Sequence, residues 1–416
     1  MQMKRVVVTG MGALTPIGLT IPDYWNGLIN GVSGAAPITY FDAAKAKTRF
    51  ACELKNYDPS PFFDRKELRK YDKFSQYGIL ASDEAIKDSG ANFDNLNKDR
   101  IGVIWASGIG GITTFQQEVK DFVLGDGSFR FSPLFIPKMI ADICAGNISI
   151  RHDLRGPNFA TVSACASSAN AIADAALYIK TGKADMMVCG GSEASIVESS
   201  LGGFSSMTAL SSRNDDPQTA SRPFDKDRDG FVLGEGAGAV VLEELEHALA
   251  RGAKIYAEVM GSGLTADAYH MTAPHPEGRG AIMAMKLALE EGELDITSVD
   301  HINTHGTSTP IGDIAEPKAI VTLFGEHAKT ININSTKSMT GHLLGAAGAI
   351  EVIATILTIV HGIVPPTINH FTDDPELPLL NYTFNKAQER DVNVALSNTF
   401  GFGGHNACIA LKKYTK

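Results

Sequence analysis

Along the whole chain, short β-branched or apolar runs that end near Gly or Ser alternate with Ala-rich stretches of helical period. The runs are Val6–Thr9, Ile101–Ser107, Phe159–Ser163 and Met186–Cys189, then Ile255–Met260, Ile302–Thr304, Ile331–Asn334 and Val394–Ser397. Unbroken apolar runs of this length are the mark of strands buried on both faces, so the rhythm predicts an α/β fold.

Two passages share a hydropathy profile: Phe159 to Gly182, which carries Cys165, and Ile331 to Gly362, which carries His342. Each sets a polar or reactive residue where a buried strand gives way to a small-residue helix. This predicts two related halves, residues 1–252 and 253–416, meeting near Arg251-Gly252, although residue identities alone do not establish a duplication. Between them Ser211–Gly238 is rich in Asp, Arg, Gly and Ser. Loops of that length in compact domains are seldom structureless unless functional, so it is expected to be ordered.

With 416 residues, 44% hydrophobic and 20% charged, the chain can bury a large core. Its 37 basic and 47 acidic residues leave a net charge of −10, which argues against a nucleic-acid binder, because phosphate binding needs a cationic surface. The five cysteines are odd in number, widely spaced and never in a C-x-x-C pair, which points to a reducing, cytoplasmic setting with neither a disulfide framework nor a cysteine metal site. Met1-Gln-Met-Lys-Arg leads directly into Val6-Val-Val, and the longest apolar stretch, Ile350–Val360, contains Glu351 and threonines. Neither a secretory leader nor a membrane span is expected.

Cys165 lies in Thr161-Val-Ser-Ala-Cys165-Ala-Ser-Ser-Ala-Asn, where a strand ends and a helix of small residues begins. A thiol there meets the positive end of the helix dipole and free backbone N–H groups, which favour a thiolate and can hold an oxyanion. A cysteine among alanines is equally what a small core residue looks like.

His305 follows the apolar-leaning Val299–Thr304 in His305-Gly-Thr307-Ser-Thr309, and His342 follows Lys337-Ser-Met-Thr-Gly. Near a helix N-terminus, and with Lys337 close by, an imidazole is kept neutral and can donate an N–H to a developing enolate oxygen. Either histidine alone could be a satisfied core residue, and no H-x-x-x-H spacing signals a metal. Thr307 and Thr309 could simply end a strand, while Lys337 is expected to form a supporting ion pair with Glu316 or Asp313. Near the C-terminus, Phe400-Gly-Phe402-Gly-Gly404 sits between two strands, so it reads as a tight turn: an ordinary hairpin, or a pocket wall that supplies a second oxyanion N–H.

Taken together, these stretches resemble the elongating β-ketoacyl-[acyl-carrier-protein] synthases, most closely those of the synthase II type, over nearly the whole chain. The likeness rests on Val6-Val-Val-Thr-Gly-Met-Gly, Cys165, Arg213-Asn-Asp-Asp, the run from Arg222-Pro-Phe-Asp to Gly238, Asp267-Ala-Tyr-His270-Met-Thr272, His305-Gly-Thr-Ser-Thr-Pro, Lys337-Ser-Met-Thr-Gly-His342 and Gly401-Phe-Gly-Gly404. A thiolase would carry a second catalytic cysteine and an initiating synthase an Asn for one histidine, and neither pattern fits. Ser168 and Asn170 stand where glycine and histidine are more usual, which touches the acyl pocket rather than the reaction.

The resemblance implies a thiolase-like five-layered αβαβα fold, a homodimer, and a catalytic trio of Cys165, His305 and His342 that condenses an acyl thioester with malonyl carrier protein. It further implies a Lys337–Glu316 ion pair, a gating Phe402, an acyl pocket around Ile109, Phe204 and Phe402, and no metal or organic cofactor. The densest basic cluster, Arg65-Lys66-Glu-Leu-Arg69-Lys70, matches residues that contact the acidic acyl carrier protein, with Arg130 as a helper; a solvated helix face is the plain alternative. A ketosynthase of a specialised polyketide or polyene pathway would share all these motifs. A chain-length-factor subunit would lack the nucleophile, and a peripheral lipid-binding protein would need an amphipathic cationic helix or a lipidation box, which Lys412-Lys-Tyr-Thr-Lys416 does not offer.

Overall fold

The structure, a computed structural model, describes residues 3–415. Ten strands carry the fold. In the first half they are β1 (Val6–Leu14), β2 (Ile101–Ala106), β3 (Asn158–Thr161), β4 (Met186–Glu193) and β5 (Gly236–Glu244). In the second they are β6 (Ala257–Ala266), β7 (His301–Asn303), β8 (Asn332–Asn334), β9 (Val394–Gly401) and β10 (His405–Lys412).

Their spatial order is β8-β7-β9-β10-β6-β1-β5-β4-β2-β3, with the two-residue strand Asn381–Tyr382 added beside β8. Read outward from the middle, both halves run first, fifth, fourth, second, third, with the same parallel and antiparallel pairings. The halves meet where β1 and β6 pair antiparallel over Val7–Glu258 and Val8–Ala257.

Six helices complete the part of the fold that matters for the site: α1 (Lys73–Asp88), α2 (Ile112–Leu124), α3 (Ser167–Lys180), α4 (Arg279–Glu291), α5 (Gly312–Phe324) and α6 (Ala347–His361). α1 packs outside the first sheet and α4 outside the second, with α5 against α4. α3 and α6 lie side by side between the two halves of the strand array, each touching strands of both halves, in keeping with the five layers that the resemblance implies. Leu344–His361 is apolar enough to cross a membrane, but 89% of that window is buried inside the protein, so it is the central core helix.

Two expectations are revised. β1 and β6 continue through the glycines that end their apolar runs in the sequence reading, because those glycines admit a helix. A Cβ on Gly10 or Gly12 would lie 2.2 or 2.0 Å from the carbonyl oxygens of Ala85 or Ala81 in α1. On Gly261 or Gly263 it would lie 2.2 or 1.8 Å from those of Ala288 or Ala284 in α4. The same Gly-x-Gly on Ala-x-x-x-Ala contact thus recurs in both halves. The second revision is β5, which begins inside the stretch read as loop; its Gly-Ala start hides a strand buried along its whole length. The preceding residues are ordered, held by Arg228 to Asp374 at 2.6 Å and by the Asp225 carboxylate accepting from Phe371 and Thr372 N–H.

Gly12→Ala and Gly263→Ala are expected to destabilise by about 1–3 kcal/mol through overpacking. Gly202→Ala, on an exposed helix with no atom within 4 Å of the new Cβ, is expected to stabilise by about 0.5–1 kcal/mol. Denaturant unfolding of the three variants checks this, and equal effects at all three positions would contradict the close-approach reading.

Candidate active site

The two central helices start in the same way. A 3₁₀ turn, Ala164–Ala166, leads into α3, and a matching turn, Leu344–Ala346, leads into α6. The first residue of each turn is a non-glycine in the left-handed region, Ala164 at φ +50° and Leu344 at φ +46°. Such conformations cost about 1–3 kcal/mol each and persist where the surroundings over-determine them. Matching the turns places Cys165 opposite Gly345, and His342 lies two residues before Leu344. Because α3 and α6 are neighbours, the two turns face each other.

The result is a buried trio. Cys165 Sγ and His342 Nε2 are 3.0 Å apart, and the rings of His305 and His342 have centroids 5.3 Å apart at an interplanar angle of 82°. Sulfur and one nitrogen from each ring lie within 4.8 Å of one another. That donor set has the chemistry to take a soft divalent cation, and the same closeness suits a thiol that hands its proton to one imidazole beside a second N–H donor.

Backbone contacts fix both histidines. His342 N–H donates to Val232 O at 2.8 Å and its carbonyl accepts from Gly234 N–H at 2.9 Å. His305 and Gly306 each donate a backbone N–H to the Glu316 carboxylate at 3.0 Å, and Asn398 donates to it at 3.1 Å.

The ion pair expected of Lys337 is corrected. Its ammonium is bonded to Glu351, not to Glu316 or Asp313. Glu316 is engaged by the His305 and Gly306 amides, while Asp313 accepts from Phe224 and Ser308 N–H and faces Arg228 at 3.9 Å. Glu351, in the first turns of α6, is left to meet Lys337. The lone charge in the Ile350–Val360 run was the sequence signal for it, legible as an interruption but not as a partner.

Electrostatics then set the protonation states. Burial, followed by the Lys337 charge, holds both His305 and His342 well below the usual imidazole range, so both are neutral. Burial pushes the Cys165 thiol up to about 12, with Lys337 and the Phe402 N–H pulling the other way. The resting group is therefore a thiol, where the sequence reading favoured a thiolate; loss of hydration outweighs the helix end until His342 takes the proton.

A cavity of about 550 Å³ opens onto the trio. Ile109, Phe204, Phe402, Thr307, Thr309 and Glu316 line it, as do Thr272 and Phe231, which sequence reasoning did not single out for the pocket. Thr307 and Thr309 join hydroxyls at 2.9 Å on its wall. Phe402 sits in the β9–β10 turn, so the glycine-rich stretch is both hairpin and pocket wall. Asp313 and Lys337 stand behind the wall. Lys66, Arg69, Lys70 and Arg130 lie away from the cavity on the exposed surface.

The chain matches the family models for the Beta-ketoacyl synthase N-terminal domain over residues 3–248 and the Beta-ketoacyl synthase C-terminal domain over residues 256–371. It is 51% identical to a 3-oxoacyl-[acyl-carrier-protein] synthase 2 of Synechocystis sp. over 414 residues, covering 100% of this chain and 99% of the relative. It is 49% identical to the synthase 2 of Staphylococcus aureus, covering 99% of each. A solved structure of a type II PKS acyl-carrier protein in complex with its ketosynthase bound to the hexaketide superposes with TM-score 0.92 at 32% identity, covering 99% of this chain and 100% of the other.

Lys337→Met removes the positive charge that opposes both imidazolium forms, so both imidazoles are expected to titrate closer to the ordinary value of about 6.5. Ring-proton NMR titration of His305 and His342 checks this, and values that stay put would leave burial as the sole cause.

Proposed function

This chain belongs to the β-ketoacyl synthase family, and we propose that Cys165, His305 and His342 carry its reaction. The enzyme is a 3-oxoacyl-[acyl-carrier-protein] synthase of the synthase 2 kind, an acyltransferase that condenses an acyl thioester with malonyl carrier protein, with loss of CO2, in fatty-acid elongation. Its identity to the synthase 2 relatives exceeds that to the polyketide ketosynthase, which favours this reading over the specialised pathway. The observation that carries the residue roles is the 3.0 Å contact between Cys165 Sγ and His342 Nε2.

His342, neutral, takes the thiol proton as Sγ attacks the acyl thioester, and returns it to the leaving pantetheine thiolate. The tetrahedral oxyanion is held by the Cys165 and Phe402 N–H groups. Malonyl carrier protein then places its thioester carbonyl against the N–H of His305 and that of His342, whose neutral ring must by then have moved its proton from Nδ1 to Nε2. Its carboxylate leaves as CO2, and the electron pair becomes an enolate whose oxygen those donors stabilise. The enolate carbon attacks the acyl-Cys165 carbonyl, the C–S bond breaks, and the thiolate takes up from water the one proton that each decarboxylation consumes. Lys337, by keeping both imidazoles neutral, suits them to donate to an enolate.

Lys66, Arg69, Lys70 and Arg130, exposed and in no ion pair among the described residues, form the dock for an acidic acyl carrier protein. A second copy of the chain covers the free edge of β3. Among the described residues that strand pairs only with β2, and next to it Val162 is 61% and Ile150 80% exposed, apolar surface that a two-fold partner would bury. The boundary between the halves falls at residues 252 and 253, and the five unpaired cysteines support a cytoplasmic location.

Cys165→Ala is expected to abolish condensation, and His342→Ala to stop decarboxylation while leaving some acylation of Cys165, both read by intact mass and product formation. Normal elongation by either variant would overturn the roles. The two surfaces are tested together by sedimentation and kinetics: a dimer that Val162→Lys dissociates, and a carrier KM that rises with weaker salt dependence in Lys66→Glu/Arg69→Glu. A monomeric native protein, or an unchanged KM, would remove the corresponding surface.

A further inference from the structure

Glu193 ends β4 fully buried, and among the described residues no cation pairs with it. Five donors converge on its carboxylate. Oε1 accepts from Ser107 Oγ and Ser195 Oγ at 3.1 Å each and from Ile109 N–H at 3.2 Å. Oε2 accepts from Gly108 N–H at 2.7 Å and Gly345 N–H at 3.0 Å. Ser107 Oγ also accepts from Gly110 N–H at 2.9 Å. The whole turn that carries Ile109 is therefore tied to one carboxylate.

That carboxylate also bridges the halves. Gly345 lies three residues after His342 and opposite Cys165 in the pseudo-symmetric turns. A Cβ on Gly345 would sit 2.1 Å from Gly108 N, so the two backbones touch around Glu193 and leave no room for slack. In the first half, the amide of this position serves the substrate oxygen. In the second half, Glu193 fills the same role from inside the protein.

We propose that Glu193 is a positioning residue that holds the Ile109 turn against the Gly345 turn and thereby sets which acyl chains Cys165 accepts. This rests on the reading of Cys165 as the acylated residue and of Ile109 as acyl-pocket wall. Freed of its tie, the turn swings away from the cavity and longer chains gain relative to short ones.

Ser107→Ala and Ser195→Ala each remove a 3.1 Å bond to the same oxygen, but only Ser107 belongs to the Ile109 turn, where its loss also frees Gly110 N–H. The native protein and each variant are offered an equimolar mixture of short-, medium- and long-chain acyl carrier proteins, and the acyl-Cys165 adducts are read by intact mass. Ser107→Ala is expected to shift the long-to-short adduct ratio by about three-fold or more, the effect of the two hydrogen bonds lost from the Ile109 turn on a competing equilibrium. Ser195→Ala is expected to keep the native ratio at a comparable loss of thermal stability. Glu193→Gln, which keeps the shape and loses acceptor capacity, is expected to shift the ratio in the same direction and stands in if Ser107→Ala does not fold. Native ratios in both Ser107→Ala and Glu193→Gln, or equal shifts in the two serine variants, would overturn the proposal while the acylation reading stands. Absence of any adduct on the native protein would overturn both.

Discussion

Two small-residue helices lying side by side between the two halves of the strand array are the constraint on which the site depends. α3 and α6 can share the central layer because alanines and glycines line their approach: a Cβ on Gly348 would already lie 2.9 Å from Ala169 N. Their neighbourhood brings the starts of both helices together, and Cys165 and His342 come within 3.0 Å of each other from opposite halves. Ser168 Oγ accepts from Ala349 N–H at 2.9 Å, one helix capping the other across that contact. Any residue that spread the helices would separate the proposed nucleophile, Cys165, from the proposed base, His342.

Burial has a second consequence, in charge. Lys337 is 1% exposed and Glu351 fully buried, and an ammonium in such surroundings persists only with a close carboxylate. The pair leaves a positive charge near the imidazoles, which oppose protonation more strongly for it, while Glu316 uses its oxygens to fix the His305 backbone. Two carboxylates that look interchangeable in sequence thus do different work: one neutralises a cation, the other places a peptide.

Much of this was legible in the chain. The eight apolar runs all fall on strands, and Cys165 and His305 stood out because each follows a strand end, His342 because it precedes a helix of small residues. The strand continuations through Gly10, Gly12, Gly261 and Gly263 were hidden, because a glycine that ends a strand and a glycine that admits a helix look the same without the helix. Glu351 and Glu193 escaped for a related reason. Lys337 lies 14 residues from Glu351, and the partners of Glu193 other than Ser195 lie 84–152 residues away along the chain, so only packing reveals what they hold. The state of the cysteine also depended on a balance that sequence cannot weigh, helix-end attraction against desolvation.

That balance reaches beyond catalysis. Peroxide and similar oxidants attack thiolates, not thiols, and climb from sulfenic to irreversible sulfonic acid where the thiolate is exposed. A thiol kept protonated and buried presents little to such oxidants at rest. The burial that brings the proposed nucleophile next to His342 thus also shields its sulfur.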